Sequence, residues 1–277
     1  MIIVKIKGGL GNQLFELALV LRLQSLGKTV KIDVNEYLRG NEKRILSTYA
    51  NGFEIASKIE IDNVCDNKPD LWSRVKRRCK LYKKSHIIED ETRFMDEIFR
   101  LDNVYLDGYW QDERYFMQVK DSIKKKLNFH VEKEDDALAE EIESAESVSI
   151  HIRRGDYLEV SKIYGNICTE RYYENAIKYV KDNIKNPVFY FFSDDIEWVK
   201  EKYNDPHYRY VSDGKRNTEA EFALMAKCKH NIIANSSFSW WAAWIDGKNK
   251  VIVAPGKWNN INKNTPVCKD WIEIKEL

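Results

Sequence analysis

The chain has 277 residues, with 45 lysines and arginines against 44 aspartates and glutamates, and its formal net charge is +1. Because the positive and negative charges are nearly equal in number, the protein has no global field that would recruit nucleic acid. A binding site for an anion therefore has to be local. The length suits two domains of ordinary size. Five scattered cysteines without a CxxC pair indicate reduced thiols rather than a zinc site, and no apolar stretch approaches the roughly 20 residues of a membrane helix. We therefore expect a cytoplasmic protein.

The amino-terminal segment predicts a βαβ unit, and hence a parallel sheet with helices on its faces. Its parts are a strand IIVKI (2–6), a loop KGGLGNQ (7–13), a helix LFELALVLRLQSLG (14–27) and a strand TVKIDV (29–34).

The loop KGGLGNQ follows a strand and opens a helix, where backbone N–H groups favour anions. Gly9 and Gly11, with Asp33 at the end of the next strand, resemble part of the dinucleotide fingerprint, but Leu14 replaces its third glycine. A tight turn between strand and helix and a ligand-binding loop both remain open here.

Two charged segments divide the rest of the first half. Residues 72–85 carry seven lysines or arginines in fourteen positions, which is typical of a solvated face; contact with an anionic lipid surface or a lipid-linked acceptor is the alternative. Residues 132–147 are half acidic, and we interpret them as a helix or linker between domains. The expected domains are 1–135 and 145–277.

The second half repeats the α/β pattern, because four apolar strands alternate with helical segments. These strands are SVSIHI (147–152), PVFYFFSD (187–194), HNIIANSS (230–237) and KVIVAP (250–255). Ligands of parallel α/β sheets bind beyond the carboxyl ends of the strands. The residues that follow each strand are therefore the candidates for a binding site.

Two adjacent arginines, Arg153 and Arg154, end the first of these strands. Gly155 allows the backbone to turn, and Asp156 could then brace one guanidinium while the other binds a ligand. A planar guanidinium with five donors suits a phosphate or carboxylate. The alternative is an Arg–Asp ion pair that only closes the strand end.

The segment ANSSFSWWAAW (234–244) combines polar groups with an aromatic helix. Trp240 and Trp244 lie one helical turn apart, which favours core packing. The polar residues could cap the helix or form a phosphate pocket at its start; they are Asn235, Ser236, Ser237 and Ser239.

Carboxylates near two other strand ends are further candidates. Glu221, with Glu219, precedes apolar helical positions and could accept hydrogen bonds from guanine or favour the first helical turn. Asp194 and Asp195 could bind a ribose or a metal, but two adjacent carboxylates without a spaced third ligand make a poor metal site. We expect no metal site.

Four motifs in this order are specific: GGLGNQLF (8–15), HIRRGDY (151–157), FFSDD (191–195) and CKHNIIANSSFSWWAAW (228–244). With them the sequence resembles the bacterial α-1,2-fucosyltransferases of glycosyltransferase family 11 over nearly its whole length. The resemblance implies a GT-B-like α/β fold, with two Rossmann-type domains facing a cleft. It also implies inverting transfer of L-fucose from GDP-β-L-fucose to the 2-hydroxyl of a β-galactoside in an O-antigen, capsule or lipopolysaccharide glycan.

The resemblance implies a role for each motif. Arg153 and Arg154 would hold the pyrophosphate, with His151 and Asp156 shaping their loop. The other donor-binding residues would be Asp194, Glu221, Ser236, Ser237 and Phe238. The acceptor-side loop would be formed by Gly9, Gly11, Asn12 and Gln13.

The chemistry agrees with these roles, because negative charge grows on the departing diphosphate in the transition state. A fixed cation beside the diphosphate stabilises this developing negative charge. By analogy with a single oxyanion donor, it would lower the barrier by about 3 to 4 kcal/mol. Such cations could replace Mg²⁺, so we expect no cofactor. Asp156 and Glu159 are the nearest carboxylates that could take the acceptor's proton.

Two other functions remain open at this point. An NAD-dependent oxidoreductase could use the amino-terminal βαβ unit with Asp33 on the ribose. A non-catalytic module that binds a sugar nucleotide or glycan is the other. Peripheral contact with the inner face of the membrane is also an open alternative to a purely cytoplasmic protein.

Overall fold

The computed structural model describes residues 1–39, 52–67, 71, 75, 78–79, 81–127, 131–155, 157, 160–246, 250–261 and 265–275. Contacts divide the chain into two compact units, Met1–Leu127 and Asn128–Leu277. The expected domains were 1–135 and 145–277, so the difference concerns the segment between them.

In its described part, the first unit contains a parallel four-stranded sheet in the order β2-β1-β4-β3. The strands are β1 (Ile2–Lys5), β2 (Val30–Asp33), β3 (His86–Ile88) and β4 (Val104–Asp107). The helices are α1 (Leu10–Ser25), α2 (Asn35–Arg39), α3 (Lys58–Val64) and α4 (Lys120–Lys126), with 3-10 turns at Asp96–Arg100, Glu113–Tyr115 and Met117–Val119.

The first helix begins at Leu10, four residues before the predicted start. Gly9 has an extended backbone, and its carbonyl oxygen accepts the N–H groups of Asn12 and Gln13. Gly11, Asn12 and Gln13 therefore belong to the first turn of α1. The predicted loop is reduced to Lys7, Gly8 and Gly9.

The described part of the second unit contains a parallel six-stranded sheet in the order β10-β9-β8-β5-β6-β7. The strands are β5 (Glu146–Ile152), β6 (Pro187–Ser193), β7 (Arg209–Tyr210), β8 (His230–Ile232), β9 (Ile252–Pro255) and β10 (Ile272–Ile274). The helices are α5 (Asp136–Ser144), α6 (Ser161–Tyr164), α7 (Glu170–Asn183), α8 (Ile196–Lys202), α9 (Thr218–Lys227) and α10 (Ser237–Ile245), and a 3-10 turn spans Lys133–Asp135.

The alternation along β5 separates two environments, as its period of two predicts. Val148, Ile150 and Ile152 are buried in an apolar cluster with Tyr172 and Tyr173 of α7. The intervening side chains of β5 are polar but also buried: Ser147, Ser149 and His151.

The acidic segment between the expected domains belongs to the second unit. In α5, Ala139 and Ile142 are buried, and the helix packs against β5 and α9. Its polar side also takes part, since Glu141 accepts hydrogen bonds from Tyr190 and Arg209. Burial of two apolar residues at helical spacing fixes the segment there, so it is not a linker.

The basic segment 72–85 is described only in part, and Arg74, Lys76, Arg77 and Lys80 lie outside the described residues. The lipid-contact alternative for this segment therefore stays a prediction. Within the described ranges, the chain forms no helix of the length and apolar character needed to span a membrane.

Candidate functional site

The predicted donor-side motifs meet at one edge of the second sheet. β5 lies between β8 and β6, and all three strands are parallel. Their carboxyl ends therefore share an edge. Arg153 follows β5, Asp194 follows β6, and Ser236 lies just beyond β8 at the start of α10.

Arg153 is braced by the neighbouring strand end. Its Nη1 lies 3.1 Å from Asp194 Oδ2, and its guanidinium carbon lies 5.7 Å from the centre of the Tyr157 ring. Asp194 Oδ1 also accepts the backbone N–H of Arg154 at 2.9 Å. One carboxylate thus fixes both the side chain of Arg153 and the backbone that follows it.

Arg154 is held by an acidic and an aromatic side chain. Its Nε donates to Asp195 Oδ2 at 3.0 Å, and its guanidinium carbon lies 3.8 Å from the centre of the Trp198 ring. The other oxygen of Asp195 accepts the backbone N–H of Trp198 and caps α8. The Arg154 side chain is 26% exposed against 34% for Arg153, so Arg153 is the more exposed of the two.

Gly155 is needed for a close approach rather than for the expected turn. A Cβ at this position would lie 2.7 Å from Asp194 Oδ2, which is shorter than real Cβ contacts. A side chain here would therefore push the carboxylate away from Arg153. Asp156, predicted to brace an arginine or take part in catalysis, lies outside the described residues, as does Glu159.

His151 is a buried neutral imidazole beneath the arginines. Burial, with a smaller effect from the charge of Arg153, lowers the pKa of His151 to about 3. The ring lies 5.6 Å from the ring of Phe238 at the start of α10. Among the described residues, its Nδ1 is buried without a hydrogen-bond partner. The residue fills the space between β5 and α10 without adding charge.

Glu221 lies in the first turn of α9, as predicted, and joins the edge through Ser212. The Ser212 hydroxyl donates to Glu221 Oε2 at 2.8 Å and accepts the backbone N–H of Ser193 at 3.0 Å. Burial raises the pKa of Glu221 above its usual value, although the bond from Ser212 lowers it. The carboxylate is thus held next to the end of β6.

The start of α10 differs from the expected cap. Ser236 occupies the N-cap position, but its side chain makes no capping hydrogen bond. Asn235 is buried and donates to the carbonyls of Trp258 and Tyr164, so it packs the loop. Ser237 and Phe238 are partly exposed. Ser236 is buried, so of these two hydroxyl groups that of Ser237 is the more accessible to a ligand.

The aromatic residues of the same helix form core, as predicted. Trp240 and Trp244 are buried and stack at 5.7 Å, and Trp240 Nε1 donates to the Pro266 carbonyl. They contribute to the stability of the second unit rather than to a ligand surface.

In the first unit, the residues of the predicted acceptor-side loop divide into two kinds. Gln13 is buried and its Nε2 donates to the Gly8 carbonyl at 3.0 Å. Asn12 is partly exposed, and its Oδ1 accepts from Gln111 Nε2 at 2.8 Å. Gly9 and Gly11 provide backbone around them. Gln13 therefore holds the segment together, whereas the amide group of Asn12 is oriented by a neighbouring loop.

Asp33 ends β2, as the dinucleotide fingerprint requires, but its carboxylate is already engaged. The carboxylate is buried, and it accepts hydrogen bonds from the backbone and side chain of Asn35 and from the hydroxyl of Tyr105. Both carboxylate oxygens are thereby engaged inside the first unit, and this weakens the oxidoreductase hypothesis.

Sequence reasoning missed several residues of this edge: Ser212, Tyr157 and Trp198. Trp198 could have been found, since it lies three residues after Asp195 and so faces it across the first turn of a helix. In the described part of the chain, no three His, Cys, Asp or Glu side chains are grouped so that they could hold a metal ion.

Comparison with known sequences is consistent with these features. The model of the family described as Glycosyl transferase family 11 matches residues 1–275. An alpha-1,2-colitosyltransferase from Escherichia coli is 33% identical over 300 aligned residues, covering 99% of each chain. The O-antigen biosynthesis glycosyltransferase WbnK, also from Escherichia coli, is 41% identical over 143 residues, covering 48% of this chain and 46% of its own. Galactoside alpha-(1,2)-fucosyltransferase 1 from Rattus norvegicus is 26% identical over 163 residues, covering 54% of this chain and 43% of its own.

Among solved structures, the fucosyltransferase NodZ from Bradyrhizobium matches with a TM-score of 0.50 and 17% identity. The match covers 88% of this chain and 92% of that chain. At this identity the likeness concerns the fold alone. It confirms the expected GT-B-like α/β class.

Proposed function

This chain belongs to glycosyl transferase family 11, and we propose that it transfers L-fucose from GDP-β-L-fucose to the 2-hydroxyl of a β-galactoside with inversion. The observation that carries the proposal is the pair of braced guanidinium groups at the carboxyl edge of the second sheet, beside the serines that open α10. The acceptor would be a galactose-containing oligosaccharide or lipid-linked glycan, such as an O-antigen unit.

Arg153 is the residue proposed to stabilise the leaving group. As the bond between the anomeric carbon and the β-phosphate oxygen breaks, the electron pair stays with GDP and negative charge grows on the diphosphate. A guanidinium already held by Asp194 needs little reorganisation to meet that charge. Arg154 would support the same phosphates through a seat fixed by Asp195 and Trp198.

Three other groups on the second unit would bind the donor. Glu221 is held by Ser212 and would accept the N1 and N2 hydrogens of guanine. The hydroxyls of Ser236 and Ser237 and the backbone N–H groups at the start of α10 would face the phosphates. We propose that these groups bind the donor without a required metal ion or other cofactor.

Colitose is a second candidate for the transferred sugar. It is an L-fucose that lacks the 3-hydroxyl, and the relative aligned over 99% of this chain is a colitosyltransferase. A site that hydrogen-bonds a sugar hydroxyl strongly rejects the analogue that lacks this hydroxyl. A site built for the analogue rejects the sugar with the extra hydroxyl much less strongly. The two donors are therefore separable by kcat/KM.

The test incubates the protein with a β-galactoside and GDP-fucose, or in parallel GDP-colitose, each with and without EDTA. We expect GDP release and an α-1,2-fucosylated product at equal rates with and without EDTA. A larger kcat/KM with GDP-colitose than with GDP-fucose would show that colitose is the preferred sugar. GDP-sugar binding without any product would identify a non-catalytic module, and loss of activity with EDTA would contradict the metal-free mechanism.

A further inference from the structure

Glu89 stands at the carboxyl edge of the first sheet, directly after β3. Its Oε2 accepts two backbone N–H groups from the loop after the neighbouring strand β4, from Tyr109 at 2.7 Å and from Trp110 at 2.8 Å. Both bonds fall on Oε2. Within the described ranges, Oε1 has no hydrogen-bond donor, so one oxygen anchors the carboxylate while the other stays available.

The loop is shaped around this carboxylate. A Cβ at Gly108 would lie 2.3 Å from Glu89 Cβ and 2.6 Å from Oε2, so only glycine allows the approach. Trp110 has a φ of 56°, in the left-handed region that bulky residues rarely adopt. Backbone strain of this kind is typical of functional sites. The loop therefore tolerates strain in order to present two N–H groups to Glu89.

The same loop contacts the glycine-rich segment at several points. Gln111 donates to Asn12, and the Lys7 ammonium lies 4.6 Å from the centre of the Tyr109 ring. A Cβ at Gly8 would lie 3.2 Å from that ring. Glu89 is thus part of one connected cluster with the residues that we assign to the acceptor side.

The surroundings of Glu89 suit a group that exchanges a proton near neutral pH. Burial raises the pKa of Glu89 to about 7, against the lowering effect of the two N–H bonds. Glu91 on the same segment raises the pKa further and Lys7 after β1 lowers it, while the Tyr115 phenol lies near enough to interact. Glu89 as a residue is partly exposed.

We infer that Glu89 is the general base of the transfer reaction and takes the proton of the acceptor hydroxyl on Oε1. The inference rests on the proposed function. The acceptor oxygen forms a bond to the anomeric carbon, the bond from that carbon to the β-phosphate oxygen breaks, and GDP leaves with the electron pair. The hydroxyl proton moves to Glu89 and passes to water after product release, which restores the carboxylate.

The test is Glu89→Gln, because the amide oxygen can still accept both backbone N–H groups but cannot take a proton. We expect kcat for transfer to fall at least about 100-fold, with KM for GDP-fucose and the thermal unfolding midpoint close to wild type. In the wild type, kcat should rise about tenfold per pH unit below pH 7 and then level off, and the variant should lose this rise. Glu91→Gln, the same change at an exposed neighbouring acid, should keep the plateau rate and the rise with pH, and should only move the rise to slightly lower pH, because the charge of Glu91 raises the pKa of Glu89.

Three outcomes would overturn the inference. A Glu89→Gln enzyme with wild-type kcat and an unchanged pH profile would show that Glu89 takes no proton. A variant with impaired donor binding or a lowered unfolding midpoint would show that Glu89 only holds the loop. A wild type that transfers neither fucose nor colitose to a β-galactoside would remove the proposed function together with this inference.

Discussion

The side chains of Arg153 and Arg154 carry the same charge but have different surroundings, so their replacement should have different effects. Arg153→Lys keeps a positive charge but loses the planar fork that can hold Asp194 and a phosphate together. We expect kcat to fall at least about tenfold with little change in stability. Steady-state kinetics with GDP-fucose and a galactoside would measure this.

Arg154→Lys is the matched comparison, because this guanidinium is less exposed than that of Arg153 and stacks on the indole of Trp198. Loss of the contact with the indole should cost about 0.5 to 1 kcal/mol of stability, and kcat should fall less than in Arg153→Lys. Equal losses of kcat in the two variants would contradict the assignment of Arg153 as the main leaving-group residue.

His151 predicts a pH dependence of stability. Its pKa is about 3 in the folded protein and near 6.5 when unfolded, so below pH 6.5 the unfolded chain binds the extra proton. Stability should therefore fall as the pH drops, by about 2 kcal/mol between pH 6.5 and pH 5 from this residue alone. Urea unfolding at pH 7 and pH 5 should show this loss in the wild type but not in His151→Asn.

The exposed His207 on the same unit provides the control. His207→Asn should follow the wild type at both pH values. If His151→Asn showed the same loss between pH 7 and pH 5 as the wild type, the imidazole would not be held neutral by burial.

The arginine site also shows what a sequence can reveal at the scale of single residues. The two guanidinium groups and the need for a carboxylate partner were predictable from local chemistry. The partners described by the structure, Asp194 and Asp195, lie about forty positions away along the chain. Only the pairing of β5 with β6 brings them together, and no local pattern encodes that pairing.

At the scale of elements, two adjacent glycines before α1 should differ in how well they tolerate alanine. Gly8 has a φ of 75°, and a Cβ there would lie 2.5 Å from the side-chain nitrogen of Asn12, whereas a Cβ at Gly9 would meet nothing within 4 Å. A left-handed alanine costs about 1 to 2 kcal/mol before any clash. We expect Gly8→Ala to lower the unfolding midpoint by about 4 °C or more.

Gly9→Ala should lower the midpoint by clearly less, since its backbone is extended with a φ of −73°. Differential scanning calorimetry of the two variants would measure the contrast. Equal midpoints would mean that the turn before α1 is not fixed at Gly8.

The elements differ in how far the sequence predicts them. Strands such as β5 and β6 were predictable because apolar residues recur along them between polar boundaries. The start of α1 was placed too late, because glycine and asparagine disfavour helices, while here Gly9 caps the helix and Gln13 binds back to Gly8. The loop after β4 was not predicted at all, since its shape depends on Glu89, about twenty residues away.

At the scale of the whole molecule, parallel topology explains why dispersed motifs can form one site. The strands β8, β5 and β6 are neighbours, although helices separate them in the chain. Each motif follows the carboxyl end of its own strand. Motifs that are far apart in the sequence therefore lie close together at one edge of the sheet. The first unit follows the same rule, with the glycine-rich segment after β1 and the loop Gly108–Gln111 after β4.

The division of the chain leads to the last prediction, which concerns the second unit by itself. All residues proposed to bind the donor lie in Asn128–Leu277, and this unit has its own apolar core around β5 and α7. We expect the fragment 128–277 to fold and to bind GDP with a Kd within about tenfold of the full chain, measured by calorimetry. Arg153→Ala in the fragment should weaken GDP binding at least about tenfold, because a charge-assisted bond to phosphate contributes about 1.5 to 3 kcal/mol. A folded fragment that does not bind GDP would place essential donor contacts in the first unit.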